Sequence, residues 1–177
     1  LIKNLDLVAL GTVCDVVNLS GYNRNFVIKG MEIIKKRTHK GISKIIDNSN
    51  INHTPTTTDL SFIIGPQLNA ASRVEDSSLS HKLLISNNLI EIETITKKLF
   101  LLNEKRKLIE KNVFDEAIIQ ADKQISKNFI LVYGKNWHRG ILGIVASKLT
   151  NKYNKPSFVI SFHGSEGVGS ARSVSSI

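Results

Sequence analysis

A long stretch without proline or glycine, from Asn88 to Ser126, constrains the fold of this chain more than any other feature. Its apolar residues recur mostly at steps of three and four, and charged residues fill most of the gaps. This spacing predicts a helix of about 55 Å if it is unbroken, at about 1.5 Å per residue. A helix of this length usually connects two globular parts; the alternative is an arm of a coiled coil or bundle. The stripe consists of Ile92, Ile95, Leu99, Leu102, Ile109 and Val113.

The residues after this helix predict a strand, then a helix and then a second strand. Residues 129–133 and 157–162 are rich in β-branched and aromatic side chains and predict two strands. Residues 140–153 between them have the spacing of a helix. Two strands joined through a helix by short links predict a right-handed β-α-β unit with a parallel strand pair.

The residues before the long helix favour shorter helices. Residues 5–19 predict a buried apolar segment, and residues 22–47 have helical spacing, with a second short helix over "KGISKIID". The polar stretch 48–58 predicts a loop. Thr58 or Asp59 is the predicted N-cap of the apolar stretch that follows.

The charge of the chain favours an anionic partner. The net charge is +9 and the isoelectric point about 9.7, which suggests nucleic acid first and an anionic membrane surface second. The alternative is a lysine-rich solvated surface with no such partner. Cys14 is the single cysteine and excludes an internal disulfide. No apolar run approaches the roughly 18 residues that a membrane span needs.

Two stretches of the first half carry polar residues with candidate roles. Asp15 lies in the apolar run "TVCDVV", where a buried carboxylate would need a metal ion, a salt bridge or a capping role. In "GPQLNAASR" (65–73), a Gly-Pro turn is expected to lead into a short helix. Asn69 and Arg73 would share one face of that helix, and Arg73 would either bind a phosphate or lie on the surface.

Two stretches of the second half have the chemistry of phosphate sites. Trp137 and His138 lie at the predicted strand-to-helix turn, where ligands collect in open α/β sheets. Trp137 would stack on a base or lie in the core. His138 would contact a phosphate, transfer a proton or cap the helix. The segment "GVGSARS" (167–173) predicts a glycine-rich loop that either binds a phosphate or is an ordinary turn.

The order of these motifs resembles one enzyme family. "ALGTVCDVVNL", "GPQLNAASR", the long helix, "WHRGILGIVASKL" and "GSARS" follow one another, and together they resemble the RecJ family. These are single-stranded-DNA-specific 5′-to-3′ exonucleases of the DHH phosphoesterase superfamily. The resemblance implies an α/β fold in three parts. Residues 1–86 would be the C-terminal part of a DHH domain, 87–127 a long connecting helix, and 128–177 the start of a DHH-associated domain, with DNA in the cleft between the two domains.

The resemblance also implies roles for individual residues. Asp15 matches the aspartate of the family's "GTVADV" motif and would be a catalytic residue and a ligand in a two-metal centre of Mn2+ or Mg2+. His138 would be catalytic as well. The residues that would hold the 5′-phosphate and the DNA backbone are Asn69, Arg73, Ser170 and Arg172.

The chain departs from the family pattern at a few positions. Gln67 stands where the family usually has arginine, which would weaken one backbone contact or salt bridge, and Ser72 replaces a glycine. Cys14 replaces a small alanine. The family's Asp-rich and Asp-His-His metal motifs precede the part that matches this chain. The chain is therefore expected to be a middle piece that cannot hydrolyse DNA by itself.

The resemblance implies single-stranded DNA as the substrate, a monomer and a cytoplasmic location without membrane contact. Candidate partners are a single-stranded-DNA-binding protein and a helicase. One alternative is another DHH phosphoesterase, an oligoribonuclease or a cyclic-dinucleotide phosphodiesterase. Those relatives usually carry a Gly-Gly-Gly-His loop, whereas this chain has "GVGSARS". A second alternative is a nucleic-acid-binding homologue that has lost catalysis.

Overall fold

The computed structural model describes residues 4–174, which form eight α-helices and a three-stranded sheet. The helices are α1 (Leu5–Cys14), α2 (Tyr22–Lys35), α3 (Lys40–Asn48), α4 (Thr57–Asp59), α5 (Gly65–Val74), α6 (Ser78–Ile85), α7 (Leu89–Ala121) and α8 (Arg139–Tyr153). A π-helical segment, Leu60–Ile64, joins α4 to α5, and a 3-10 turn, Asp122–Gln124, follows α7. The strands are β1 (Ile130–Lys135), β2 (Ser157–His163) and β3 (Glu166–Arg172). The predicted mixed α/β class is confirmed.

The long helix is present as α7 and contributes to two compact units. These are Leu1–Asn103 and Glu104–Ile177, so the boundary between them lies inside α7. The Asn88 Oδ1 accepts hydrogen bonds from the N–H groups of Ile90 and Glu91 and thus caps the first turn of α7. At about 1.5 Å per residue, the 33 residues of α7 span about 50 Å.

The first unit is helical, and its core consists mainly of aliphatic side chains. The spacing of apolar residues in α3 puts Ile42, Ile45 and Ile46 on one buried face. These side chains belong to the same cluster as Leu60 and Ile64 of the π-helical segment. Burial of each such side chain contributes about 1.5–3 kcal/mol. The first half of α7 completes this core with Ile92, Ile95, Leu99 and Leu102.

Two details around α4 and α5 differ from the sequence-based expectations. The N-cap is Thr56 rather than Thr58 or Asp59, because Thr56 and Asp59 form a reciprocal capping box. The predicted Gly-Pro turn at 65–66 is wrong: Gly65 begins α5 directly after the π-helical segment, and proline is tolerated in the first helical turn.

The segment 5–19 is only partly helical and only partly buried. Helix α1 ends at Cys14, and residues 15–20 are exposed. Val16 adopts a positive φ of 54° and is 88% exposed. The expectation of one buried apolar segment is therefore wrong for its second part.

The second unit contains the predicted β-α-β arrangement. Strands β1 and β2 are parallel, with Ile130 opposite Ser157, and α8 connects them. The stretch predicted as a glycine-rich loop is instead strand β3, antiparallel to β2, with Ser170 opposite Val159 and Arg172 opposite Ser157. The loop prediction is wrong because hydrogen bonding to β2 gives the glycines an extended conformation.

Strand β1 lies at one edge of this sheet, and two glutamines, one at the end of α7 and one in the 3-10 turn that follows it, bond to its backbone. The Gln120 side chain donates to the carbonyl of Tyr133 and accepts from its N–H, at 2.7 and 3.0 Å. Gln124 makes the same pair of bonds with Leu131, at 2.8 and 3.1 Å. Gln120 and Gln124, four residues apart, thus bond to residues that are two apart on the strand. Their amides make the hydrogen bonds that a neighbouring strand would make.

The two faces of the sheet differ in burial. Ile130, Val132 and Val159 are fully buried in a cluster with Val145 and Leu149 of α8. The opposite face leaves aromatic and aliphatic side chains exposed by more than a third, namely Phe129, Leu131, Tyr133, Phe158 and Phe162. Across the described residues, no helix combines the length and the apolar character that crossing a membrane requires.

Candidate functional site

The N-terminus of α8 carries the first candidate residue, His138. The turn from β1 into α8 passes through Asn136, which has a positive φ of 58° and donates its N–H to the Phe162 carbonyl at 3.0 Å. His138 then caps α8, because its Nδ1 accepts the N–H of Gly140 at 3.2 Å. The neutral ring therefore carries its proton on Nε2, which remains able to donate to an anion.

Ser170 and Arg172 lie on β3 beside α8, and the Arg172 backbone is next to Thr150 in the C-terminal part of that helix. They are two residues apart on β3 and so share one face of the sheet. The Arg172 Nη1 is 3.3 Å from the Ser170 Oγ. A β-carbon built on Gly143 would lie 3.2 Å from both the Ser170 Oγ and the Arg172 Nη2. Gly143 is in the second turn of α8, so both side chains lie over the turns that follow His138.

The charge of the Arg172 guanidinium is uncompensated within this part of the structure. Its Nη1 donates to the Ala171 carbonyl at 2.7 Å, and the Arg172 carbonyl accepts from the Thr150 hydroxyl at 3.2 Å. Among residues 4–174, no carboxylate forms an ion pair with Arg172. The exposed guanidinium and the Ser170 hydroxyl together favour an anion.

Trp137 belongs to the core and not to a base-stacking surface. It is 4% exposed, and its indole Nε1–H donates to the Glu116 carboxylate at 2.8 Å. Its ring lies so close to Gly134 that a β-carbon there would be 2.1 Å from Cε2. The base-stacking hypothesis for Trp137 is therefore wrong, and the core hypothesis is confirmed.

In the first unit, Asp15 follows the last residue of α1. Its N–H donates to the Gly11 carbonyl at 3.0 Å and ends the helix, while its side chain is exposed. The expectation of a buried carboxylate is wrong, because the chain leaves the core after Cys14. The Cys14 thiol donates to the Leu60 carbonyl at 3.6 Å. Burial raises the pKa of this thiol, and the negative charge of Asp15 raises it further.

Asn69 and Arg73 share the outward face of α5, as the spacing predicts. Asn69 is exposed and Arg73 is half-buried, whereas Leu68 and Ala71 face the core. Gln67, at the position where the family has arginine, is 4% exposed and donates its amide to the Ser49 Oγ at 2.7 Å. This side chain holds α5 to the end of α3, so the substitution at Gln67 changes an interior contact.

The candidate metal ligand is a single carboxylate. Within residues 4–174, no three His, Cys, Asp or Glu side chains come together to hold a metal ion. Asp15 has the oxygen donors that Mg2+ and Mn2+ prefer, and its exposed side chain leaves them accessible. It therefore fits as one ligand, but the described residues do not form a complete metal centre.

The structure adds one residue that the motif analysis missed. Gly143 gives Ser170 and Arg172 their close approach to α8. A signal was present in the sequence, because a glycine inside a helix is unfavourable and often has a packing reason. The partner of that packing, however, lies in β3, which sequence spacing does not reveal.

The fold and these sites define an α/β protein with a candidate anion site beside α8 and an exposed carboxylate. No family model matches the chain. It is 40% identical over 180 residues to the single-stranded-DNA-specific exonuclease RecJ of Haemophilus influenzae, covering 96% of this chain and 31% of that protein. RecJ of Escherichia coli is 34% identical over 178 residues, with the same coverage.

Solved structures agree with these relatives. A crystal structure of RecJ from Thermus thermophilus in complex with Mn2+ superposes with a TM-score of 0.90 at 28% identity, covering 99% of this chain and 26% of that chain. A Mg2+ complex from the same organism gives the same TM-score and identity. The chain thus spans about a third or less of the length of these proteins. Its sequence and its fold are similar to those of one segment of RecJ, which confirms the resemblance inferred from its motifs.

Proposed function

We propose that this chain is part of a single-stranded-DNA-specific 5′-to-3′ exonuclease of the RecJ type and that it binds the 5′-phosphate of the DNA. The observation that carries the proposal is the position of Arg172. Its guanidinium lies beside the Ser170 hydroxyl over the first turns of α8, without an ion-pair partner among residues 4–174. A dianionic terminal phosphate can accept hydrogen bonds from a guanidinium and a hydroxyl together.

His138 extends this phosphate site toward the reacting bond. Because its Nδ1 accepts from the Gly140 N–H, its Nε2–H is free to donate to a phosphate oxygen. His138 thereby acts as a catalytic residue, holding a proton at Nε2 near the negative charge of the substrate.

The first unit contributes the other proposed contacts. Asn69 and Arg73, on the outward face of α5, contact the phosphate and the DNA backbone through their amide and guanidinium groups. Asp15 provides one carboxylate to a centre of Mn2+ or Mg2+. When bound, such ions activate a water and stabilise the departing oxygen of the phosphodiester.

We extend the same proposal to the domain organisation, oligomeric state, location and partners of the protein. Residues 1–86 are the C-terminal part of a DHH domain, 87–127 the connecting helix, and 128–177 the first part of a DHH-associated domain. The protein acts as a monomer in the cytoplasm during DNA repair and recombination. A single-stranded-DNA-binding protein and a helicase are its proposed partners.

Replacing Arg172 by alanine tests the phosphate site. We expect the chain to bind a short oligothymidine with a 5′-phosphate about 10-fold more tightly than the same strand with a 5′-hydroxyl, because hydrogen bonds to charged groups contribute about 1.5–3 kcal/mol. Arg172→Ala should reduce this ratio to about one. Fluorescence anisotropy with a label at the 3′ end measures both affinities at one fixed salt concentration.

Lys152→Ala is the matched control, since Lys152 lies in the last turn of α8 and its removal changes the net charge equally. This variant should bind both strands slightly more weakly and keep the ratio. If Arg172→Ala kept the preference, or if the unmodified chain showed none, the phosphate site would be refuted.

A further inference from the structure

Trp137, the residue before His138, fixes the turn that carries His138. The Trp137 ring is buried against Gly134, and its indole N–H requires an acceptor there. Among the described residues, the acceptor is the Glu116 carboxylate on α7, at 2.8 Å. If this acceptor were removed, the buried indole N–H would be left without a hydrogen bond, which would lower the free energy of unfolding.

The main chain of Trp137 is held as well. Its carbonyl accepts the hydroxyl of Ser161, a fully buried residue of β2, at 2.8 Å. The preceding residue, Asn136, donates its N–H to Phe162 of the same strand. Trp137 is therefore fixed at its ring by α7 and at its carbonyl by β2, and His138 follows it directly.

Of these contacts, the one to Glu116 is the most readily broken. Ser161 lies within β2, whose pairing with β1 keeps it in register, and the Asn136 N–H bonds to the next residue of β2. Glu116 belongs to a different element, and its side chain lies on the exposed part of α7. Loss of this acceptor would leave the buried indole N–H unpaired and would weaken the link between Trp137 and α7.

We propose that Glu116 is a positioning residue for His138. Through the Trp137 indole it fixes the turn in which the His138 Nδ1 accepts the Gly140 N–H, and so it fixes the direction of the Nε2–H. This inference deepens the proposed function, since it rests on the phosphate-binding role of His138 given above.

Two substitutions of Glu116 separate hydrogen bonding from shape and charge. Glu116→Gln keeps a carbonyl oxygen that can accept the indole N–H, whereas Glu116→Leu has a similar size and no acceptor. Trp137 is the only tryptophan, so its indole N–H gives a single resonance in a 1H–15N spectrum. Asp115→Leu is the matched control, because it removes the same charge from the neighbouring position of α7.

Hydrogen exchange of two groups provides the structural measurement. In Glu116→Leu we expect exchange of the indole N–H and of the Gly140 amide to become at least about 10-fold faster, because the turn opens more often. Glu116→Gln and Asp115→Leu should stay within about 2-fold of the unmodified chain. If Glu116 only stabilised the Trp137 ring, exchange would become faster at the indole N–H and stay unchanged at the Gly140 amide. That result would overturn the proposal.

A second measurement separates this inference from the proposed function. Glu116→Leu should lower affinity for the 5′-phosphorylated oligothymidine by about 5-fold, and Glu116→Gln should restore most of it. If His138→Ala had no effect on that affinity, the role of His138 in binding would fail. The exchange of the Gly140 amide would still decide whether Glu116 positions the turn.

Discussion

In the candidate phosphate site, the lack of a side chain at Gly143 matters as much as the charge of Arg172. Ser170 and Arg172 reach α8 because Gly143 has no side chain in their path. Their hydroxyl and guanidinium thereby lie directly over the second turn of α8. A binding site of this kind depends on a residue that makes no hydrogen bond with the ligand.

Gly143→Ala tests this dependence. The added methyl group would lie 3.2 Å from the Ser170 Oγ and the Arg172 Nη2, closer than most carbon contacts. Because an alanine favours the helix by about 1 kcal/mol, the variant should be at least as stable as the unmodified chain. The preference for a 5′-phosphorylated oligothymidine should nevertheless fall about 3- to 10-fold, since the guanidinium moves.

Gly11→Ala is a suitable control for that measurement. Gly11 also lies within a helix, α1, but a β-carbon there has no atom within 4 Å. This variant should gain stability and keep the preference for the phosphate. An unchanged preference in Gly143→Ala would mean that the guanidinium has room to move without loss of binding.

At the scale of elements, the sheet of the second unit is connected to both of its helices by specific side chains. The amides of Gln120 and Gln124 join α7 and the turn after it to the edge of β1. At the other end of α8, the Tyr153 hydroxyl donates to the Asp122 carboxylate at 2.6 Å, which joins α8 to the turn after α7. The elements are thus fixed at several points outside the apolar core.

The Tyr153–Asp122 bond predicts a pH dependence of stability. Burial, the hydrogen bond to Asp122 and the negative charge of Asp122 raise the pKa of Tyr153 from its ordinary value of about 10 to about 12. The neutral phenol is therefore favoured in the folded chain. Its contribution is fully present below about pH 10 and is lost as the pH rises from about 10 to about 12.

Tyr153→Phe measures this contribution. At pH 7 the variant should be less stable by about 1 kcal/mol, because it lacks the bond to Asp122. The difference in the free energy of unfolding between the two chains should stay constant below about pH 10 and shrink above it. Urea unfolding followed by tryptophan fluorescence gives both values; a difference that stayed constant up to about pH 12 would contradict the assigned pKa.

At the scale of the whole molecule, the two compact units meet inside α7. The observed boundary follows Asn103, whereas the three-part division treats 87–127 as a separate connecting element. Each half of α7 buries its apolar residues in the core of its own unit. The functional division into domains stays a prediction.

Hydrolysis of DNA is tested with the whole chain. We expect no Mn2+-dependent hydrolysis of a 5′-phosphorylated oligothymidine by the purified chain, because Asp15 is one ligand and residues 4–174 hold no group of three. Single-stranded DNA should still bind, in a salt-dependent manner. Gel analysis of the oligonucleotide after incubation with Mn2+ measures hydrolysis, and stepwise shortening from the 5′ end would refute the prediction.

Much of the fold was predictable because its signals are local. The apolar spacing of α7 and the alternation from β1 through α8 to β2 are periodic patterns within single elements. Asn69 and Arg73 share a face of α5 for the same reason. The Asp15 prediction failed because burial depends on where the chain leaves the core. The loop prediction for β3 failed because strand pairing overrides the preference of glycine for turns.

The amino-acid sequence by itself determined the long helix, the parallel strand pair and the order of motifs that resembles RecJ, since these depend on spacing along the chain. Only the tertiary structure decided that β3 is a strand, that Trp137 is bonded to Glu116, and that Ser170 and Arg172 lie over Gly143. These contacts join residues far apart in sequence. Their formation depends on how elements pack, and the pattern of residues within any one element does not contain that information.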